Sequence, residues 1–153
     1  MDKSERAILR ELQQSGRMTN VELAQRIGSS EAPCFRRGKA LEEAGVIRGY
    51  SARLDKRKLG YQVTALVLVA LDQQSDSKVN KFMEAVEAEE HIVECHAITG
   101  SHDYFLNVIA RNIDHFSELS IKQLLKFPGV RSIESNFSLI AVKEDSPIPV
   151  VEG

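Results

Sequence analysis

A chain of 153 residues has room for one ordinary domain or two small ones. With 42% hydrophobic and 27% charged residues, and no apolar run near the ~18 residues that a membrane helix needs, it reads as a soluble globular protein. The net charge of −2 conceals an asymmetry: residues 1–60 hold 13 Lys/Arg against 8 Asp/Glu, whereas residues 61–153 hold 7 against 14. A basic first half joined to an acidic second half points to two domains, the first facing a polyanion. Met1 to Arg10 is charged throughout and has no apolar core, so no signal peptide is expected and the expected location is the cytoplasm. Cys34 and Cys95 stand far apart without a CxxC, which excludes a disulfide framework, argues against structural zinc, and leaves two buried reduced thiols as the expectation.

The first sixty residues read as helices. Asp2 and Glu5 have the spacing of a capping box, and Ile8, Leu9 and Leu12 follow as an apolar stripe that Ser15-Gly16 ends. Thr19 and Glu22 repeat the box ahead of Leu23, Ala24 and Ile27, and Gly28 stops that helix. Ser29-Ser30 offers a cap for a third helix running to about Ala44, with Pro33 in its first turn, where a missing N–H does no harm, and Gly45 as its stop. Two short helices separated by a three-residue turn and supported by a third form the helix-turn-helix pattern. Ile47 to Leu54 reads as a short extended segment, Asp55-Lys56-Arg57-Lys58 as a charged connector, and the domain boundary is placed at Gly60, giving domains 1–60 and 61–153.

The second half changes character. Val63 to Leu71 is a nearly unbroken apolar run, Val79, Phe82, Met83 and Val86 are spaced as a helix face, and Ile92 to Thr99 reads as a strand. Gly100-Ser101-His102-Asp103 reads as a turn and Tyr104 to Ala110 as a strand. Asp114 is positioned to cap a helix carrying Phe116, Leu119, Leu124 and Phe127, Pro128-Gly129 stops it, and Val130 to Val142 is the last strand. The order βαββαβ is the ferredoxin-like arrangement, so the fold class is α+β, with a helix-turn-helix followed by a ferredoxin-like domain. In that architecture both helices cover one face of the sheet. Val63 to Leu71 and Tyr104 to Ile109 are apolar on both faces, so the second face needs a cover, and a second copy of the sheet about a two-fold axis is the simplest. A dimer also suits a protein that reads two DNA half-sites.

On the third helix Cys34, Gly38 and Leu41 recur at i, i+4 and i+7 as the buried stripe, while Phe35, Arg36 and Lys39 fall outside and Arg37 at the boundary. Ser30, Arg36, Arg37 and Lys39 would then meet the major groove or its phosphates. The candidate DNA-facing set also takes in Thr19, Asn20, Glu31 and Pro33 around the turn, and Arg48 beyond it. Gly38 is out of place in mid-helix, where it costs roughly 0.5–1 kcal/mol against alanine.

Several short stretches, in order and at matching spacing, resemble the leucine-responsive regulator/AsnC family of bacterial and archaeal transcription regulators. They are residues 16–24 (GRMTNVELA), 33–37 (PCFRR), 41–47 (LEEAGVI), 94–96 (ECH), 100–104 (GSHDY) and 128–130 (PGV). The resemblance covers nearly the whole chain. It implies a winged helix-turn-helix, a C-terminal domain that binds a small effector, usually an amino acid, and dimers that join into larger discs, often octamers. It also implies that effector lies between dimers against the glycine turn and the final strand, which here means Gly100, Ser101, His102, Asp103, Tyr104, Ile133 and Ser135. Asp103 would accept from an α-amino group, and backbone N–H groups would meet an α-carboxylate. Ser101, His102, Ile133 and Gly38 depart from the residues usual in the family.

Other readings are weaker. The four histidines, His91, His96, His102 and His115, show no tight ligand spacing, and Cys95 and His96, adjacent on a strand, point to opposite faces, so no metal and no cofactor is expected. An enzyme built on the second domain lacks a phosphate loop or a nucleophile–base pairing, and only Asp103 with His102 or His96 resembles an acid–base pair. A weakly specific architectural DNA-binding protein is the nearer alternative. The expectation is therefore a double-stranded-DNA-binding regulator, not an enzyme, whose oligomeric state or DNA binding responds to an effector.

Overall fold

The computed structural model describes residues 1–72 and 76–151, so the expected domain end at Gly153 lies outside the described residues. The chain divides into two units: residues 1–53 together with 142–153, and residues 54–141. This differs from a single cut at Gly60. The connector Asp55–Lys58 folds as a turn, with Leu59 N–H donating to Asp55 O (3.2 Å) and Tyr61 N–H to Lys56 O (2.9 Å). The segment after the last strand returns to the first unit.

The first unit holds helices α1 (Lys3–Gln14), α2 (Asn20–Arg26) and α3 (Glu31–Glu43). Both expected capping boxes form. Asp2 Oδ1 accepts from Glu5 N–H at 2.8 Å and Glu5 Oε2 accepts from Asp2 N–H at 2.7 Å. Thr19 Oγ1 accepts from Glu22 N–H at 3.2 Å and Glu22 Oε2 accepts from Thr19 N–H at 2.8 Å. Each box satisfies two amides that the first turn of a helix leaves without an intrahelical partner. Both Asp2 and Glu22 are held below the ordinary carboxylate range, first by these backbone N–H donors. Gly28 turns the chain at φ +65°, a conformation that side chains with a Cβ rarely adopt. The core is small: Ile8, Leu23, Ala24, Cys34 and Leu41, flanked by Leu9, Leu12, Met18, Ile27 and Ile47. The segment 47–54 forms no strand.

The second unit is a four-stranded antiparallel sheet in the order β2-β3-β1-β4, from β1 (Val63–Leu71), β2 (Ile92–Ala97), β3 (Tyr104–Ala110) and β4 (Val130–Phe137). Helices α4 (Asp76–Ala88) and α5 (Ile113–Lys122) complete the expected βαββαβ order. The central strand β1 pairs Val69 with Tyr104 on one side and with Ile133 on the other. Alternate residues Ala65, Val67, Val69 and Leu71 pack with Leu106 and Val108 against Phe82 and Val86 of α4 and Phe116 and Leu119 of α5. Burying such a large apolar side chain contributes roughly 1.5–3 kcal/mol, so this face dominates the unit's stability. Met83, expected on the same helix face, is instead exposed.

Other local expectations change as well. The cap of α5 is Asn112, whose side chain accepts from His115 N–H at 2.8 Å, while Asp114 sits in the first turn. Strand β4 ends at Phe137 rather than Val142, because Ser138 N–H makes the last ladder-like bond to Thr64 O (2.9 Å), at the start of β1. Cys34 is buried but Cys95 is exposed, since it lies on the edge strand β2.

At Gly38 an added Cβ would meet no heavy atom within 4 Å. The glycine therefore serves no close helix approach, and its helical cost has no steric return. The variant Gly38→Ala should be more stable than the parent by roughly 0.5–1 kcal/mol, read as a rise in the denaturation midpoint; a fall would show that open space around this turn is needed.

Candidate functional site

Helix α3 is presented by its neighbours. Its inner stripe, Cys34 and Leu41, is buried against Ile8, Leu23 and Ala24. The turn is fixed by Asn20, whose Nδ2 donates to the Glu31 carbonyl at 3.0 Å, and by Ser29 N–H donating to Ala24 O at 2.9 Å. Thr19 is occupied as the α2 cap. Thr19 and Asn20 thus have structural work in the turn whatever they meet beyond it. Ser30 occupies the α3 cap position but its hydroxyl makes no cap bond, and Glu31 is exposed beside it. Pro33 is half-buried in the first turn.

The outward face of α3 carries Phe35, 59% exposed, with exposed Arg36 and Lys39. Arg37 turns away from them: its Nε lies 3.3 Å from Asp2 Oδ2, at the start of α1. Arg48 is exposed beyond the helix. The structure therefore groups Phe35, Arg36 and Lys39 on one helix face and sets Arg37 aside as a brace between α3 and α1. Its place at the edge of the buried stripe was the only signal of that role in the sequence.

The second candidate region is the β2–β3 turn. Gly100 has φ +115°, which favours glycine. The turn closes with Ile98 N–H donating to Asp103 O at 2.9 Å, and it is stapled to the central strand twice. Asp103 N–H donates to Val69 O at 2.8 Å, and Asp103 Oδ2 accepts from Leu71 N–H at 2.7 Å. The carboxylate expected to meet an effector amine thus has one oxygen committed to the end of β1. Hydrogen bonds to a charged acceptor contribute more than neutral ones, so Asp103 is first a fastener of the turn.

The remaining turn residues divide by the pleat. Tyr104 and Ile133 flank Val69 on opposite strands and pack against the helix-covered core, with the Tyr104 ring 4.8 Å from that of Phe82. Ser135 pairs with Val67, two residues further from the turn. His102 belongs to the other side: its Nδ1 is 3.1 Å from Ser101 Oγ and its Nε2 is 3.8 Å from Glu134 Oε2. Glu134 was not among the expected residues. Alternation along β4 would have found it, because a residue beside Ile133 must face the opposite way. Gly100, Ser101, His102, Asp103 and Glu134 are therefore brought together, and Ile133 and Ser135 face the helix-covered side.

That opposite sheet face carries half-buried Leu66, Leu68, Phe105 and Ile109, and α4 and α5 pack on the other face. In its midst Asn107 donates from Nδ2 to Glu94 Oε2 at 3.2 Å, and its buried Oδ1 has no hydrogen-bond donor among the described residues. Among the described residues no three His, Cys, Asp or Glu side chains converge as a metal site, and no helix is long and apolar enough to cross a membrane.

Comparison with known proteins agrees with this geometry. Residues 64–148 match the Lrp/AsnC ligand binding domain and residues 1–48 match a winged helix-turn-helix DNA-binding domain. A leucine-responsive regulatory protein of Rhizobium meliloti is 37% identical over 150 residues, covering 98% of this chain and 96% of its own. The transcriptional regulator AzlB of Bacillus subtilis is 32% identical over 152 residues, covering 99% and 97%. Among solved structures, a transcriptional regulator of Neisseria meningitidis in complex with L-Met superposes with a TM-score of 0.93 at 34% identity, covering 97% of this chain and 96% of that one.

The Asp103 staple sets a measurable cost. The variant Asp103→Ala leaves the Leu71 amide without its acceptor and should lose about 1–3 kcal/mol of stability in chemical denaturation. Asp103→Asn keeps an acceptor and should recover part of the loss. An alanine variant as stable as the parent would mean that the bond fastens nothing.

Proposed function

The chain belongs to the Lrp/AsnC family of transcription regulators, and from that premise we propose that α3 reads operator DNA while the second unit senses an amino acid at the Gly100–Asp103 turn. The family pairing of helix-turn-helix and ligand-binding domains makes it a DNA-binding regulator. The observation that carries the reading residue by residue is the exposed Phe35, Arg36 and Lys39 face on a helix whose other face is locked into the core. Such a helix enters the major groove, Arg36 reaching a base edge or a phosphate and Lys39 a phosphate. Ser30, Glu31 and Pro33 stand at its leading end, and Arg48 flanks it.

The amino-acid effector is supported by the L-Met complex of the Neisseria regulator. In this chain Gly100, Ser101 and His102 present the turn, and Glu134 adds a carboxylate 3.8 Å from the imidazole. With Asp103 Oδ2 held by Leu71, Glu134 is the better placed acceptor for an α-amino group, and turn N–H groups suit an α-carboxylate. A second copy of the chain covers the Leu66, Leu68, Phe105 and Ile109 face, giving a dimer that joins into higher oligomers, up to an octamer. Sedimentation of the full chain reads this directly, and a monomer would overturn it. Effector bound at the turn then alters how dimers associate and so the spacing of the reading helices. The reading gives the chain no catalytic role and places it in the cytoplasm.

Binding to operator DNA should weaken steeply with salt, and Lys39→Ala should reduce the magnitude of the log–log salt slope by about 1 per half-site, about 2 for the dimer. Arg36→Ala should cost about 1–3 kcal/mol at a preferred site if it reads a base. A site preferred over random DNA by ~10³-fold or more marks a specific regulator; equal binding to all sequences would favour an architectural protein instead.

Screening the twenty amino acids by thermal shift should find one or a few that stabilise the chain, by about 2.7 kcal/mol at a hundredfold excess over Kd. The shift should shrink in Glu134→Ala and in His102→Ala, neither of which touches the Asp103 staple. Full retention of the shift in both would move the site away from this turn.

A further inference from the structure

After β4 the chain returns to the first unit and runs along α1. Backbone groups of the segment make the hydrogen bonds that hold it there. Gln13 Nε2 donates to Ile148 O at 3.0 Å, and Ile148 N–H donates to Gln13 Oε1 at 2.6 Å. One side-chain amide thus pairs both polar groups of a single residue, as a neighbouring strand would. One turn away on the same helix, Arg10 Nη2 donates to Val150 O at 3.2 Å. The Ile148 side chain itself stays 76% exposed.

The local sequence fits this grip. Ile148 stands between Pro147 and Pro149. Neither proline has an N–H, so the triplet offers one donor, and Gln13 takes it. Proline also fixes φ and biases the residue before it toward extended backbone. The segment is therefore ordered before it docks, which lowers the entropic cost of docking.

We propose that residues 147–150 are a strap locked to the DNA-reading unit by the Gln13 amide, giving the sensor domain a second tether, covalent at β4 and hydrogen-bonded at α1. The first hold is the connector at residues 54–60; the second leaves β4, the strand that carries Glu134 and borders the effector turn. The strap grips α1, and α1 supplies Ile8 to the core under α3. A shift of β4 thus has a path to the reading helix that does not pass through the connector. The strap stands on its own geometry, while its use in signalling rests on the effector reading above.

The test compares full-length parent, Gln13→Ala, Ile148→Pro and Ile148→Ala. Trypsin cleavage after Lys143, whose primed-side residues run into the strap, should accelerate about tenfold in Gln13→Ala and Ile148→Pro, and remain at the parent rate in Ile148→Ala, which keeps the N–H. Exchange of the Ile148 amide should accelerate likewise in Gln13→Ala. Melting of the sensor domain, unchanged across the set, guards against simple misfolding. Equal cleavage and exchange rates in parent and Gln13→Ala would overturn the strap. Where an amino acid shifts operator affinity in the parent, that factor should fall toward one in Gln13→Ala and Ile148→Pro. A detached tail with the factor intact would overturn the lever and leave the strap. A parent indifferent to every amino acid would instead remove the effector reading, with the cleavage and exchange rates still deciding the strap.

Discussion

Strand β1 pairs along both edges, to β3 and to β4, and its side chains are apolar on both faces. Backbone pairing on both edges leaves it no freedom to slip, since a one-residue shift would send Val67 and Val69 to the wrong face of the sheet. The rest of the second unit follows from that. One face draws α4 and α5 onto it, and the other is left as an apolar surface whose polar element, Asn107, has an acceptor still to be satisfied. The C-terminal end of the strand becomes the anchor for the β2–β3 turn, through the Val69 carbonyl and the Leu71 amide. The turn is therefore fastened at Asp103, while Ser101 is exposed and His102 half-buried.

The first unit works on a narrower margin. Its core has five buried side chains, two of them alanine and cysteine, and burial in so small a unit leaves little surplus over chain entropy. Polar devices supply the difference: two capping boxes, the Asn20 tie across the turn, the Arg37–Asp2 brace and the Gln13 grip on the tail. Individually these exposed interactions are weak, but each fixes a helix end or the angle between helices. For a reading head, position matters more than depth of stability.

The parts legible in the sequence are those set by local rules. Capping spacing located α1 and α2, the nearly unbroken apolar run located β1, and glycine marked the turns at 28 and 100. What was not legible depends on contacts between distant residues. Nothing local distinguishes Asn112 from Asp114 as the cap of α5, because both are good acceptors near a helix start; the backbone geometry chose Asn112. Cys95 reads as a core thiol until the strand order makes β2 an edge. Ile133 and Glu134 are neighbours in sequence and alternation puts them on opposite faces, but only the strand order brings Glu134 beside His102. The tail beyond Val142 has no periodicity at all, so its return to α1 could not be read without the fold.

These features bear on how a signal could travel. Allosteric coupling needs two states that each ligand weights differently, and the coupling free energy is reciprocal: whatever factor an effector applies to operator affinity, the operator must apply to effector affinity. A single flexible connector transmits little, because a unit on one tether can reorient without strain. The chain here passes between the units twice, once before β1 and once after β4. In the proposed signalling, a displacement of β4 reaches α1 along the chain that follows it, and the operator shares the cost. The same constraint limits the size of the response. Coupling of this kind is typically worth 1–3 kcal/mol, comparable to a few of the polar contacts that hold the reading unit together, so the strap cannot carry a larger signal than its own grip withstands.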